Sequence, residues 1–279
     1  MTTSLTSAST TAPATGPQAL RVTQARVVLS EWIKFRSLRS SVWTLLAAVV
    51  LSIGIGALFS AVSASQYHTF SPADRASFNP ISTSLNGTLF SQLAIGVLGV
   101  LLISGEYSTG MIRASLTVVP KRLPMLWAKL VVFAGVVFAL TLVTSFVSFF
   151  LGQALLSSHH LNASISAPGA LRSVIGAALY VTVAGMIGMA LGALLRNTAA
   201  GISTFVAAFF VIPPLTDLLP ASWSSHFAQY LPSDAGGVLF GGGRGLANPL
   251  APWTGFGVLC AYAVVLITLA AWRLRRADA

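Results

Sequence analysis

Apolar residues gather into six long runs, at about 42–62, 85–104, 130–156, 173–195, 199–219 and 254–272. At 1.5 Å per helical residue, about 20 apolar residues cross about 30 Å of hydrocarbon, so each run predicts a membrane-spanning helix. The run at 130–156 is longer than needed and must tilt or extend beyond the hydrocarbon. Only Arg196, Asn197 and Thr198 separate the fourth and fifth runs, which predicts a tight turn. Ahead of the first run the periodicity changes. Between Arg21 and Arg39, Val22, Ala25, Val28, Leu29, Trp32, Ile33 and Phe35 share one broad helical side, opposite Thr23, Arg26, Ser30, Lys34 and Ser37. This pattern predicts an amphipathic helix lying in the membrane interface, with the stem of Arg36 reaching back to the headgroups. The first twenty residues carry no charge and are rich in Ser, Thr, Ala and Pro. They lack the basic start and apolar core of a secretory signal and read as a disordered cytoplasmic tail.

Composition agrees with the spans. The chain is 55% hydrophobic and 8% charged, with a mean hydropathy of +0.81, whereas soluble domains carry about 25% charged residues. The net charge of +10 sits beside the spans, where it sets orientation instead of binding nucleic acid. With the N-terminus inside, thirteen of the Lys and Arg residues fall on the cytoplasmic side and only Arg75, Arg172 and Arg244 fall outside. This bias predicts a multi-pass plasma-membrane protein with both termini cytoplasmic. The chain then divides into a tail at 1–20, an interfacial helix at 21–41, a six-span domain at 42–272 and a basic tail at 273–279.

Several kinds of chemistry are excluded or weakened. The apolar cores of the spans hold no Asp, Glu, Lys, Arg or His, which disfavours proton relays and ion pumps. They offer hydroxyls instead, at Thr141, Thr144, Ser145 and Ser148, together with a Gly188/Gly192 pair whose spacing lets helices approach closely. The single Cys260 lies in the last run, and the adjacent His159 and His160 have no Cys or carboxylate beside them, so no metal site is expected. Between the last two runs, Trp223, Phe227 and Tyr230 would share one side of a short helix at interfacial depth. The glycine-rich run at 241–245 has no strand before it and no helix start after it, and reads as a flexible outer loop. None of the three lysines follows a glycine, so a phosphate-binding GxxxxGK[ST] loop is absent. No catalytic residue or cofactor is expected on this chain.

The linker from Ser104 to Lys129, SGEYSTGMIRASLTVVPKRLPMLWAK, is the most elaborate polar stretch. It reads as a water-exposed loop. Glu106 and Arg113 lie two helical turns apart and would face the same way on one helix. Gly105 and Gly110 permit sharp turns, Pro120 and Pro124 stiffen the return, and Lys121, Arg122 and Lys129 form a basic edge.

This run, with the preceding SEWIKFRSLRSSVWTLL, resembles the permease subunits of type-2 ATP-binding-cassette (ABC) transporters. The resemblance implies an all-α membrane fold with six spans and an N-terminal interfacial connecting helix bearing Arg26, Trp32, Lys34 and Arg36. It further implies a cytoplasmic coupling helix between spans 2 and 3 and a re-entrant outer helical segment between spans 5 and 6. ATPase coupling would fall to Glu106, Tyr107, Thr109, Gly110, Arg113, Lys121 and Arg122. The partners implied are an ABC ATP-binding subunit that holds ATP and Mg, and a second permease in a homodimer or heterodimer, with lipids around them. The function implied is export of a hydrophobic or amphiphilic cargo such as a drug, antibiotic or lipid-like molecule. The alternative is a stand-alone channel, structural or immunity protein that needs no ATPase.

Overall fold

The computed structural model describes residues 24–108, 122–220, 226–242, 246 and 248–276. Among them there is no strand, and six helices are long and apolar enough to cross a membrane. The chain is an all-α multi-pass membrane protein. Helix α1 (Gln24–Ser37) meets α2 (Arg39–Gln66) through one extended residue, Leu38 (φ −78°, ψ 105°). Two short helices follow, α3 (Pro72–Ser77) and α4 (Pro80–Ser84). Each starts with proline in its first turn behind a side-chain cap, Ser71 or Asn79, because proline has no N–H to leave unsatisfied there. Then come α5 (Thr88–Ser108), α6 (Arg122–Ser157) and α7 (Ala170–Leu195).

The turn after α7 forms as its residues dictate. Arg196 adopts a left-handed conformation (φ 53°), and the Asn197 side chain accepts a hydrogen bond from the Ala200 N–H to open α8 (Thr198–Val206). This fifth span does not continue as a regular helix. It widens into a π-turn at Ala207–Val211 before α9 (Ile212–Leu215), because Pro213 and Pro214 offer no N–H to the preceding turn. Beyond it, α10 (Pro232–Gly237) is buried almost throughout, and α11 (Pro252–Arg276) completes the bundle. Phe227 and Tyr230 are exposed, while Trp223 and residues 243–245 of the glycine run lie outside the described residues.

Helix α7 is the axis of the bundle, with residues buried on all sides from Ala170 to Ala193. It packs most extensively on α5. Small residues make that possible. A Cβ at Gly192 would sit 2.7 Å from the Val100 carbonyl oxygen, and one at Gly188 would collide with the backbone of Gly96. The glycine pair thus faces another helix of the same chain.

Hydroxyls of α6 are engaged within the helix or with its neighbours. Thr141 and Thr144 donate to carbonyls one turn back, at 2.7 and 2.8 Å, and Ser148 donates to the Ser84 carbonyl at 2.9 Å. Gln153 Nε2 donates to the Pro80 carbonyl at 2.8 Å, and its Oε1 accepts from the Ala163 N–H at 2.7 Å. Helix α4 and the loop after α6 are thereby tied to α6. A similar bond crosses the interior, where the Tyr180 hydroxyl donates to Gln92 Oε1 at 2.6 Å.

Candidate functional site

The end of the bundle that carries α1 collects most of the charge. Helix α6 has 36 residues, about 54 Å at 1.5 Å per residue, longer than the roughly 30 Å of hydrocarbon requires. The linker expected to be solvated loop as far as Lys129 is therefore helical from Arg122 onward. Pro124 lies in the first turn, where proline is tolerated. Gly105, read as a point of turning, lies inside helix α5.

Lys129 is not a solvated basic edge. Only 8% exposed, it donates to Glu31 Oε2 at 2.7 Å and to Glu106 Oε1 at 2.8 Å. Glu31, itself 4% exposed, accepts a second ion pair from Lys34 at 2.9 Å on its other oxygen. One ammonium on α6 thus joins a carboxylate on α1 to a carboxylate in the last turn of α5. Lysine is suited to this bridge because its three N–H donors can point to two acceptors. The Gln24 amide adds a further tie from α1 to the Pro124 carbonyl at 3.0 Å.

The orientation of α1 follows from this cluster. Val27, Glu31 and Phe35, spaced four residues apart, turn toward the bundle, whereas Leu29, Trp32 and Ile33 are exposed. The helix therefore has two distinct apolar sides. One packs on α6 around a buried acid, and the other is open to the surroundings. Arg36 is exposed, and Lys34 lies at the edge of the cluster.

Burial on its own would raise the Glu31 carboxyl, but the charge and hydrogen bond of Lys129, helped by Lys34, hold it below the usual carboxylate range. A depressed carboxyl gives stability that is fully present above its unfolded value, about 4.3, and is lost as pH falls through the folded value. Thermal melts in detergent should therefore stay level from pH 7 to pH 5 and drop below about pH 4. In Glu31→Gln the Glu31-dependent part of that drop should vanish, and an identical acid profile would refute this assignment.

Beside the cluster, the Arg196 guanidinium lies 5.1 Å from the centre of the Tyr107 ring, within the distance at which a cation and a ring attract. Arg273 of α11 donates to the Leu194 carbonyl at the end of α7. Thr198 donates to Ser104 at 2.9 Å. The last turn of α5 is therefore connected to the turn between α7 and α8 as well as to α1 and α6.

Of the seven residues assigned to ATPase coupling, Glu106 and Tyr107 enter this network. Thr109, Gly110, Arg113 and Lys121 lie outside the described residues. Of the coupling helix expected within Glu106–Leu116, the first three residues, 106–108, end α5, and the rest lies outside the described residues. Arg122 is the first residue of α6. Glu31 is the member of this cluster that composition and spacing passed over. Its signal was there in the sequence: a lone acid at the centre of the Val27–Glu31–Phe35 stripe.

At the opposite end, His68 and His159 bring their rings to 6.1 Å. Among the described residues no three His, Cys, Asp or Glu side chains gather in a manner that would hold a metal ion. The family model described as "ABC-2 family transporter protein" matches residues 27–213. No curated protein matches the chain.

Proposed function

This chain belongs to the ABC-2 transporter family, and we propose that it is the permease of an ATP-driven exporter whose hydrolysis takes place on a separate cytoplasmic subunit. Permeases of this family normally work with an ATP-binding subunit. The distribution of Lys and Arg supports placing the α1 end in the cytoplasm.

The observation that carries the reading is the Glu31–Lys129–Glu106 cluster. It connects α1, the last turn of α5 and the second turn of α6, and the expected docking segment lies between the latter two. A push on that segment acts on both helix ends at once. The charged bridge makes α1 move with them, while Tyr107 and Arg196 carry the displacement to the turn before the fifth span. Packed helices respond to such a push by shifting as units, because dense interiors deform little.

The cargo in this reading is hydrophobic or amphiphilic. The buried hydroxyls of Thr141, Thr144 and Ser148 on α6 are engaged within the subunit, so the path does not depend on them. Helix α2 and the fifth span leave the most apolar surface uncovered. This supports a second permease against those flanks, with lipid covering the rest. In the assembled transporter, ATP and Mg would belong to the ATPase.

Replacing Glu106 by Gln together with Arg113 by Ala should cut ATP-dependent transport at least tenfold while membrane insertion is kept. Arg113→Ala alone, which leaves the charged cluster untouched, separates lost coupling from lost folding. Full transport by the double variant would remove the coupling role.

A further inference from the structure

Between α1, the start of α2, the inner half of α5 and α6 lies a cavity of about 430 Å³. Sites for small molecules occupy roughly 300–1,000 Å³, so it has room for one ligand. Its two ends differ in chemistry. Leu98, Leu102, Phe35 and Val132 form an apolar wall, while Glu31, Glu106 and Lys129 form the floor. The mouth lies by Leu38, Ser40 and Leu101, all exposed. An apolar wall running up from a charged floor suits an amphiphile with its tail along α5 and its head at the level of α1.

The floor also selects the sign of that head. Its two carboxylates face a single buried ammonium, Lys129, so the buried set carries one net negative charge. The balance comes from Lys34 at the rim, whose side chain is 35% exposed and which reaches Glu31 from one helical turn away. Partly exposed pairs of this kind are weak and exchangeable. An incoming ammonium can take the place of Lys34 on Glu31 Oε1 and leave the Lys129 bridge intact. A carboxylate or phosphate head would instead meet two carboxylates at low dielectric.

We propose that this cavity binds an amphiphile bearing a protonated amine, taken from the membrane leaflet on the α1 side. The proposal borrows from the permease reading only the assignment of that leaflet as cytoplasmic. Occupancy would place a ligand against Glu106, in the network that joins α5 to α6.

The test uses the purified full-length chain in a non-ionic detergent. Its unfolding midpoint is followed against dodecylamine and against dodecanoate of equal chain length. Dodecylamine should raise the midpoint saturably, at a concentration at least tenfold below any effect of dodecanoate. Leu102→Trp and Thr44→Trp fill the cavity from two different walls without altering the charged floor, and the saturable shift should disappear in both. Equal responses to the two probes, or wild-type responses in both tryptophan variants, would overturn the proposal. Competition by sphingosine, a lipid amine with no phosphate, would support it and identify a lipid amine as the occupant. A saturable dodecylamine shift without that competition would support a non-lipid cationic amphiphile. No ATPase takes part, so a negative result leaves the permease reading intact, and failed ATP-dependent export would leave a positive binding result standing.

Discussion

Lys129→Met is expected to be the most damaging single replacement at the charged end of the bundle. It would leave the buried Glu31 and the mostly buried Glu106 without the ammonium that holds both. Removing one partner from a buried ion pair costs roughly 3–5 kcal/mol, since the remaining charge keeps its desolvation penalty. Lys34 can still reach Glu31 but lies on the rim, so it offsets little of this loss. The measurement is thermal or denaturant unfolding in detergent, with size-exclusion chromatography reporting aggregation. A triple variant that also carries Glu31→Gln and Glu106→Gln should recover much of the loss, because neutral groups no longer need the lysine. A Lys129→Met protein within about 0.5 kcal/mol of the parent, the range of ordinary surface substitutions, would show that the cluster does not bear on stability.

Gly192→Leu and Gly188→Leu should damage the centre of the bundle. At both positions the first added carbon meets the backbone of α5, at Val100 and at Gly96 respectively. Backbone cannot rotate out of the way, so α5 and α7 must separate along their closest contact. Overpacking of this kind typically costs about 1–3 kcal/mol and occasionally more. In a membrane the loss matters further, because helix association there depends on close packing and not on exclusion of water. Gly54 and Gly135 provide controls within the same protein, since a Cβ at either meets nothing within 4 Å. Leucine at those positions should leave the unfolding midpoint nearly unchanged. Equal effects at all four glycines would contradict the packing described for α5 and α7.

The spans were legible because a membrane imposes a simple requirement, about 20 apolar residues in a helix. Their ends were less so. Apolarity marks where lipid begins, whereas helix α6 starts at Arg122 and continues through Lys129 because backbone hydrogen bonding does not stop at the hydrocarbon boundary. The charged cluster was harder still. Lys129 and Glu31 are 98 residues apart, and Gln92 and Tyr180 are 88 apart. Pairing at that range depends on how helices pack, which no local spacing encodes. The i, i+4 stripe through Glu31 was visible, but an acid on an otherwise apolar face is easily taken for a solvated one. The turn at Arg196–Asn197 was legible from length alone, and asparagine explains its cap. Helix α10 was obscured by its composition, PSDAGG, which is poor in helix formers. Gly236 is required by packing, since a Cβ there would press on Tyr180 and Leu259 at 2.6 and 2.7 Å.

The central claim is that this chain is moved by ATP hydrolysed on another polypeptide. The most direct measurement is transport of an amphiphilic cargo into inside-out vesicles, with the tagged chain purified from the same membranes to identify its companions. The account predicts a P-loop ATPase recovered in fixed stoichiometry and cargo uptake that stops when ATP is withheld. Full-rate uptake by vesicles holding only this polypeptide, in the absence of ATP, would contradict it.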